Sequence, residues 1–419
     1  MTPRVLLAAA TTGYQTRVFA AAAQRLGFAV TLATDRCHIL EDPWADGAIA
    51  VRFEKPEQSA RLIEGPFDGV IAVGDRPALL AAHAASRLGV RFHPVPAVEA
   101  CGNKFLAREQ FRAAGLRVPA YFRAAFEEGP RAAARRASYP CVLKPLGLSA
   151  SRGVIRAGSE AEFHAAFERI RRLLAAPDLA RLKDARNGFL QVEDYIPGRE
   201  YALEGVMSGA RLHVLALFDK PDPLEGPFFE ETIYVTPSRE DQRVQSAIVE
   251  TAREAVRALG MTDGPVHAEM RVNGQGVWML EVAARPIGGL CAKALTFDGG
   301  APLEELLLRN AVGEDVRGAK LDGPATGVMM IPIPKAGVYR GVRGEAAAAA
   351  TPGIQAVEIT AKDGQALLPL PEGASYLGFL FARGPNPAAV ERSLRQAHAE
   401  LAFDIAVSLP ALAPARAAS

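Results

Sequence analysis

Cysteine is scarce. The 419 residues hold four, at positions 37, 101, 141 and 291, and no two form a C-x-x-C pair. That excludes a disulfide framework and a zinc ribbon. Seven histidines supply no H-E-x-x-H helix, so the zinc-protease arrangement is missing as well. Cys37-His38 is an isolated adjacent pair and reads as structural. Charge of one sign is lacking too. With 48 basic and 47 acidic side chains the net charge is +1, which leaves no footprint for a long polyanion and argues against a nucleic-acid partner. No apolar run reaches the ~18 residues of a membrane span. The short apolar run from Val5 to Ala10 leads straight into a β–α pattern, so it reads as a first strand and not as a leader. No membrane partner is expected, and the cytoplasm is the expected compartment. Lysine is the last scarcity: nine of the 48 basic residues. Arginine serves wherever a generic positive charge suffices, so a lysine among apolar neighbours stands out.

What is present is an ordinary globular composition, 49% hydrophobic and 23% charged. The length suggests two to four domains at roughly 100–200 residues each. Residues 4–10, 28–33 and 69–73 read as strands. They alternate with helices over 17–26 and 77–88, the latter stopped by Gly89. This alternation predicts a doubly wound parallel sheet. The loop T-T-G-Y-Q-T at 11–16 lacks G-x-G-x-x-G, so a dinucleotide site is not supported. A helix is predicted over 104–114, a strand ending at Leu143-Lys144-Pro145, a helix over 159–174 and a strand over 189–192. Strands 266–272 and 276–283 flank a turn. The run Ala346–Ala350 is of low complexity, a strand over 376–382 and a helix over 388–401 follow, and the Ala/Pro-rich tail from residue 410 reads as frayed.

Four stretches carry chemistry. In Val266–Val272, His267, Glu269 and Arg271 share one face of an alternating strand. A three-residue loop into Val277–Ala283 would set Glu269 opposite Glu281. Facing residues in such a pair have Cβ atoms roughly 4.5–5.5 Å apart, and two carboxylates that close need a shared proton or a cation. Oxygen-only ligands suit Mg²⁺. The competing arrangements put the acids on different faces, or let Arg271 and Arg285 neutralise them. Second, Lys144 ends an apolar strand before a loop of small residues, Gly147 to Gly153, whose N–H groups and the Ser149 and Ser151 hydroxyls could meet an anion. It could equally be a plain turn with a surface lysine. Third, Val192 to Glu200 runs from a strand through Pro197-Gly198, with acids at both ends that could accept from ribose hydroxyls or lie on a charged linker. Fourth, residues 218–237 form a long stiff loop with Lys220 near its start, either a functional lid or a simple cover.

Together these pieces resemble the ATP-grasp superfamily of carboxylate–amine ligases over residues 1 to 405. The likeness rests on Asn103-Lys104, V-L-K-P at Lys144, the loop 147–153, V-E-x-x-I-x-G-x-E from Val192 to Glu200, and the acids at 269 and 281 before Arg285-Pro286. Glu281-Val-Ala-Ala-Arg285-Pro-Ile-Gly288-Gly289 is similar to the E-x-A-A-R-x-x-G-G of the bacterial L-amino acid ligases, which make dipeptides. The stretch Ser375–Ala382 resembles their biotin-carboxylase-like C-terminal domain. Tyr234 stands where those ligases have a histidine in F-x-E-x-x-H-x-x-P-S. Ala283 stands where many ATP-grasp enzymes have an asparagine.

The resemblance implies a mixed α/β and α+β architecture. A doubly wound N-terminal domain covers 1–98. A two-lobed ATP-grasp domain covers 99–320, with its lid about 120–192, and a small α+β domain covers 321–419. It implies ATP with Mg²⁺, or Mn²⁺, as cofactors. Lys104, Lys144, Ser149, Ser151 and Gly153 would meet the phosphates. Glu193, Asp194 and Ile196 would meet the adenine, and Glu200 the ribose. Glu269 and Glu281 would hold the metal. Glu231, Tyr234, His267, Arg285, Gly288 and Gly289 would line the substrate site, with Arg285 and Lys144 as the catalytic pair. The expected reaction joins an amino acid carboxylate to an amine through an acyl phosphate, releasing ADP and phosphate. Bicarbonate-activating and purine-pathway ligases of the same superfamily, and a nucleotide-binding sensor without turnover, are the alternatives. The partners are small molecules, and the oligomeric state is open, a homodimer being one arrangement.

Overall fold

Four parallel strands, Arg4–Ala9, Ala29–Thr34, Ala48–Ala50 and Gly69–Val73, open the fold. They stand side by side in the order third, second, first, fourth. This is the doubly wound start that alternation predicted. The first helix, Tyr14–Leu26, begins three residues before the expected Arg17. The helix Asp75–Leu88 ends on Gly89, whose φ of +68° gives the left-handed turn that only glycine adopts cheaply. The chain is seen here in a computed structural model that describes residues 2–10, 14–35 and 47–407. Cys37-His38 and the tail from 410 lie outside the described residues.

A second, antiparallel sheet orders Tyr121–Ala125, Phe189–Asp194, Cys141–Pro145 and Ile155–Ala157. Helix Glu160–Leu174 covers it through Phe163, Phe167, Ile170 and Leu174, a 3.6-residue stripe. Ser159 caps that helix by accepting from the Glu162 N–H at 3.3 Å. Phe163 and Phe167 are fully buried, each worth roughly 1.5–3 kcal/mol of burial.

The third sheet is the backbone of the molecule. Its eight strands run in space as Gly276–Ala283, Gly264–Asn273, Arg199–Ser208, Arg211–Lys220, Ile233–Thr236, Ala325–Ile331, Gly378–Gly384 and Ile354–Ile359. Helix Gln242–Ala258 buries Ile248, Ala252, Ala255 and Val256 in the same core as the N-terminal sheet. Strands beyond residue 320 therefore continue the central sheet. The run Ala346–Ala350 lies on a short helix, Glu345–Ala350. A last strand, Ala402–Ala406, had no clear sequence signal. Among the described residues, no helix is long and apolar enough to cross a membrane.

One local expectation is corrected. The loop between the two acid-bearing strands is not three residues long, because Asn273 pairs directly with Gly276. Two loop residues alone would set Leu280 opposite Glu269. A bulge that adds Leu280 to the second strand restores the facing pair Glu269–Glu281.

Candidate active site

Three adjacent strands supply the floor of one cleft by alternation. On Arg199–Ser208, residues 200, 202 and 204 point the same way. Across the ladder Glu200 faces Arg271, Ala202 faces Glu269 and Glu204 faces His267. On the other side Lys220 faces Glu200. The small Ala202 leaves room beside Glu269. The cleft above holds about 510 Å³, within the usual range for a small-molecule site.

Glu269 and Glu281 face each other across the bulge, and the two arginines make their direct hydrogen bonds elsewhere, although the Arg285 charge is felt by both acids. Arg271 donates to Glu200 at 2.9 Å and to the Ile196 carbonyl at 2.7 Å. Arg285 donates to Asp75 at 2.8 Å. Lysines contact the two acids directly: Lys104 lies 2.9 Å from Glu281, and Lys220 lies 3.0 Å from Glu269. The bulge itself is held by Arg108, fully buried, which donates to the carbonyls of Met279 at 2.6 Å and Leu280 at 3.3 Å.

The phosphate end follows. Asn103 caps helix Lys104–Ala113 by accepting from two backbone N–H groups, which fixes Lys104 at the helix start. Its ammonium also donates to the Leu148 carbonyl at 2.8 Å, touching the small-residue loop. There Ala150, Ser151 and Gly153 have φ of +55°, +53° and +74°. The N–H groups of Arg152, Gly153 and Val154 donate to the carbonyls of Ser149, Pro371 and Ser151 at 3.2, 2.9 and 3.0 Å, so the part of the loop that lines the cleft is Ser149 to Ser151. Lys144 pairs with Glu193, and burial pushes its ammonium down from the ordinary lysine range. Glu193 is itself buried and accepts from Arg108 at 2.7 Å and Gln191 at 2.6 Å. Burial works against its charge, but Arg108 and Lys144 outweigh it and hold the carboxyl down at about 2. Its side chain is thus fully engaged, so any purine contact at 193–196 falls to the backbone and Ile196. Val142, Val154 and Phe229, an apolar cluster against Tyr195, form the adjoining wall.

Arg285, Glu231, Tyr234, His267, Gly288 and Gly289 line the same cleft. His267 lies 3.0 Å from Glu204 and 3.3 Å from Glu269. Burial opposes its protonation and also pushes the Glu204 carboxyl up. The two hydrogen bonds settle the proton on the imidazole, whose pKa rises to about 9. Burial and the neighbouring Glu269 push the Glu231 carboxyl up to about 7 against the pull of Lys220. Glu269 goes the other way: Lys220 and His267 overcome its burial and keep it ionised. The Tyr234 hydroxyl lies 3.4 Å from Glu269. Gln15 donates to the Gly289 carbonyl at 2.7 Å, which ties the N-terminal domain to the glycine pair.

All seventeen residues singled out from the sequence except Gly153 line this one cleft. Gly153 closes the loop beside it and donates to the Pro371 carbonyl at 2.9 Å. Four further residues escaped sequence reasoning: Asp75, Arg108, Glu204 and Lys220 as a member of the acid cluster. Glu204 had a signal, since it shares the alternation of Glu200. Arg108 had one too, one helical turn beyond Lys104. Two facing carboxylates with oxygen-only donors fit a hard divalent cation. A second set, Glu200, Glu231 and Glu269, brings its oxygens within 4.8 Å of one another, and Lys220 contacts all three.

Known proteins are similar to this chain in sequence and in fold. The ATP-grasp domain family matches residues 137–294, and the family described as L-amino acid ligase C-terminal domain 2 matches residues 329–406. Alanine–anticapsin ligase of Bacillus subtilis is 28% identical over 241 residues, 54% of this chain and 50% of that protein. The chain thus spans about half the length of the curated relatives it matches. Two solved structures share the fold. The L-amino acid ligase of Bacillus licheniformis has a TM-score of 0.79 at 24% identity, over 96% of this chain and 99% of that one. The N5-carboxyaminoimidazole ribonucleotide synthetase of Thermotoga maritima has a TM-score of 0.70 at 16% identity, over 97% of this chain and 100% of that one.

Proposed function

Given an ATP-grasp domain joined to an L-amino acid ligase C-terminal domain, we propose that this chain is an ATP-dependent carboxylate–amine ligase. It joins an amino acid carboxylate to the amine of a second small molecule, releasing ADP and phosphate. The observation that carries this reading is one cleft that brings together Lys104, Lys144, Ser149 and Ser151, the facing pair Glu269–Glu281, and Arg285.

A carboxylate does not react with an amine at neutral pH, because its leaving group is too poor. Transfer of the ATP γ-phosphoryl group to the carboxylate makes an acyl phosphate, and the amine then displaces phosphate from the acyl carbon. Lys104 and Lys144 offset the charge that develops on the transferred group. A divalent ion, Mg²⁺ or Mn²⁺, held by Glu269 and Glu281 supplies further charge neutralisation. Glu200 and the backbone of 193–196 seat the nucleoside. Arg285, oriented by Asp75, stabilises the oxyanion of the tetrahedral stage. Water has to be excluded or the acyl phosphate is lost; the loop 147–153 and the segment 221–232, between the strands ending at Lys220 and beginning at Ile233, are the candidate covers. Cys291, Met330, Tyr376 and Phe379 add an uncharged part to the wall beside Glu231 and His267, a place for a small apolar side chain such as that of the alanine named in the curated relative.

The test is phosphate release across a matrix of amino acid pairs, with nucleotide products resolved. ADP and phosphate should form only when a carboxylate and an amine are both present. AMP with pyrophosphate would sink the acyl-phosphate route. Turnover that needs bicarbonate would move the chain to another ATP-grasp reaction, and tight ATP binding with no turnover would make it a sensor.

A further inference from the structure

Lys220 has no task in that reaction, yet it is the most enclosed lysine of the cleft. It ends the strand Arg211–Lys220, and its side chain is 3% exposed. Its ammonium lies 2.8 Å from Glu200, 2.5 Å from Glu231 and 3.0 Å from Glu269. Those acids come from two strands and from the segment before a third. The face of Tyr234 lies 5.0 Å away. An ammonium has three N–H donors, so all three are taken and none is left for a phosphate or a substrate. Lys104 and Lys144 each keep a side open to the cleft; Lys220 does not.

Glu269 shows where this leads. The contacts from Lys220, His267 and Tyr234, at 3.0, 3.3 and 3.4 Å, all fall on its Oε1 atom. A carboxylate pinned through one oxygen by three groups has a fixed plane and a fixed second oxygen. Glu281 stands directly opposite on the next strand.

We propose that Lys220 is a positioning residue. It locks the acids read as ribose, substrate and metal ligands into one rigid set, and it fixes Glu269 so that a divalent ion is met through its second oxygen beside Glu281. The proposal rests on the reading of Glu269 and Glu281 as the metal acids. It separates two lysine roles in one site: Lys104 and Lys144 serve the nucleotide, and Lys220 serves the carboxylates. Removing its charge leaves three carboxylates within 4.8 Å without the one cation that joins all three; Arg271 still holds Glu200, but Glu269 keeps only the longer contacts from His267 and Tyr234 and turns away from its partner.

The experiment measures ADP affinity of the full chain by calorimetry, with and without Mn²⁺, in wild type and in Lys220→Met. The substitution keeps the length of the side chain and removes the charge. The metal-dependent gain in ADP affinity should fall at least tenfold, while metal-free ADP affinity stays within threefold. A general loss of structure would lower both, so the split is what a merely structural lysine would not produce. An undiminished gain in folded Lys220→Met overturns the proposal. Should that variant fail to fold, Glu231→Gln removes one anchor at little cost in shape. A two- to fivefold loss of the same gain then supports the proposal, and none overturns it. Glu269→Gln and Glu281→Gln are measured alongside. If they leave the gain intact, the metal reading itself fails; if they abolish it and Lys220→Met does not, only the Lys220 inference fails.

Discussion

At the residue scale the cleft is a lattice of opposite charges in which most of the acids have a named partner. Glu281 has one, Lys104 at 2.9 Å. Glu281→Gln should therefore keep the fold and much of the nucleotide binding, but cut phosphate release at least a hundredfold, read by a coupled assay beside calorimetry with ADP. Unchanged turnover would remove Glu281 from the metal site. His267 gives a pH test. Its folded pKa of about 9 lies above the ordinary 6.5, so its contribution is fully present below pH 6.5 and is lost as pH rises through 9. At 1.36 kcal/mol per unit this amounts to about 3 kcal/mol. The stability gap between wild type and His267→Gln, from urea unfolding, should shrink by about that much between those limits. A flat gap would mean that the imidazole is neutral throughout.

These residues also mark how far the sequence can be read. His267, Glu269 and Glu281 were legible because alternation puts them on known faces. Their neutralising partners were not, because Lys104 and Lys220 reach them from other elements, and spacing along one strand says nothing of that. Asp75 was invisible for the same reason: its partner Arg285 lies 210 residues away.

At the element scale the bulge at Leu280 and the loop 149–153 do the positioning. The pair Glu269–Glu281 was expected from a loop length that the chain does not have. A two-residue loop and an added residue give the same register, and no local sequence pattern distinguishes the two. The loop 149–153 is met from outside by the segment 371–372. Gly153 donates to the Pro371 carbonyl at 2.9 Å, Arg152 to the Glu372 carbonyl at 2.8 Å, and Arg169 binds the Glu372 carboxylate at 2.5 and 2.8 Å. This clasp joins the lid sheet to the C-terminal region over the cleft. The Arg169–Glu372 pair is more than a third exposed, so Glu372→Ala should cost under about 1 kcal/mol of stability. It should instead raise phosphate release in the absence of amine two- to fivefold, as water reaches the acyl phosphate. Thermal unfolding and an amine-free assay read the two effects. A variant as tightly coupled as wild type would deny the clasp a role in closure.

At the scale of the whole molecule the eight-stranded sheet governs behaviour. The parallel, doubly wound character of the N-terminal sheet was legible from β–α alternation, because parallel strands need crossovers and crossovers leave a pattern; its short edge strand Ala48–Ala50 and the strand order were not. The joining of Ile233–Thr236 to Ala325–Ile331 was not legible, since the partners lie some 90 residues apart, the first falls in the segment 218–237 that reads as a loop, and the second had no strand reading. A chain cut after residue 324 would leave Ile233–Thr236 as an open, apolar sheet edge, which invites pairing between molecules. It should aggregate or fail to express solubly, as gel filtration would show. A monomeric, cooperatively folding fragment would contradict this.

The shared sheet also bears on engineering. Tyr376 and Phe379, on or beside strands of the C-terminal region, wall the cleft, so exchanging that region between proteins of this fold is a natural way to alter what the cleft accepts. The joint at residue 320 is a weld and not a hinge. A transplanted segment has to match the hydrogen-bond register of Ile233–Thr236 residue for residue. A one-residue slip at the graft would turn every side chain of Ala325–Ile331 to the wrong face, so grafts should be spliced by strand phase and not by domain boundary.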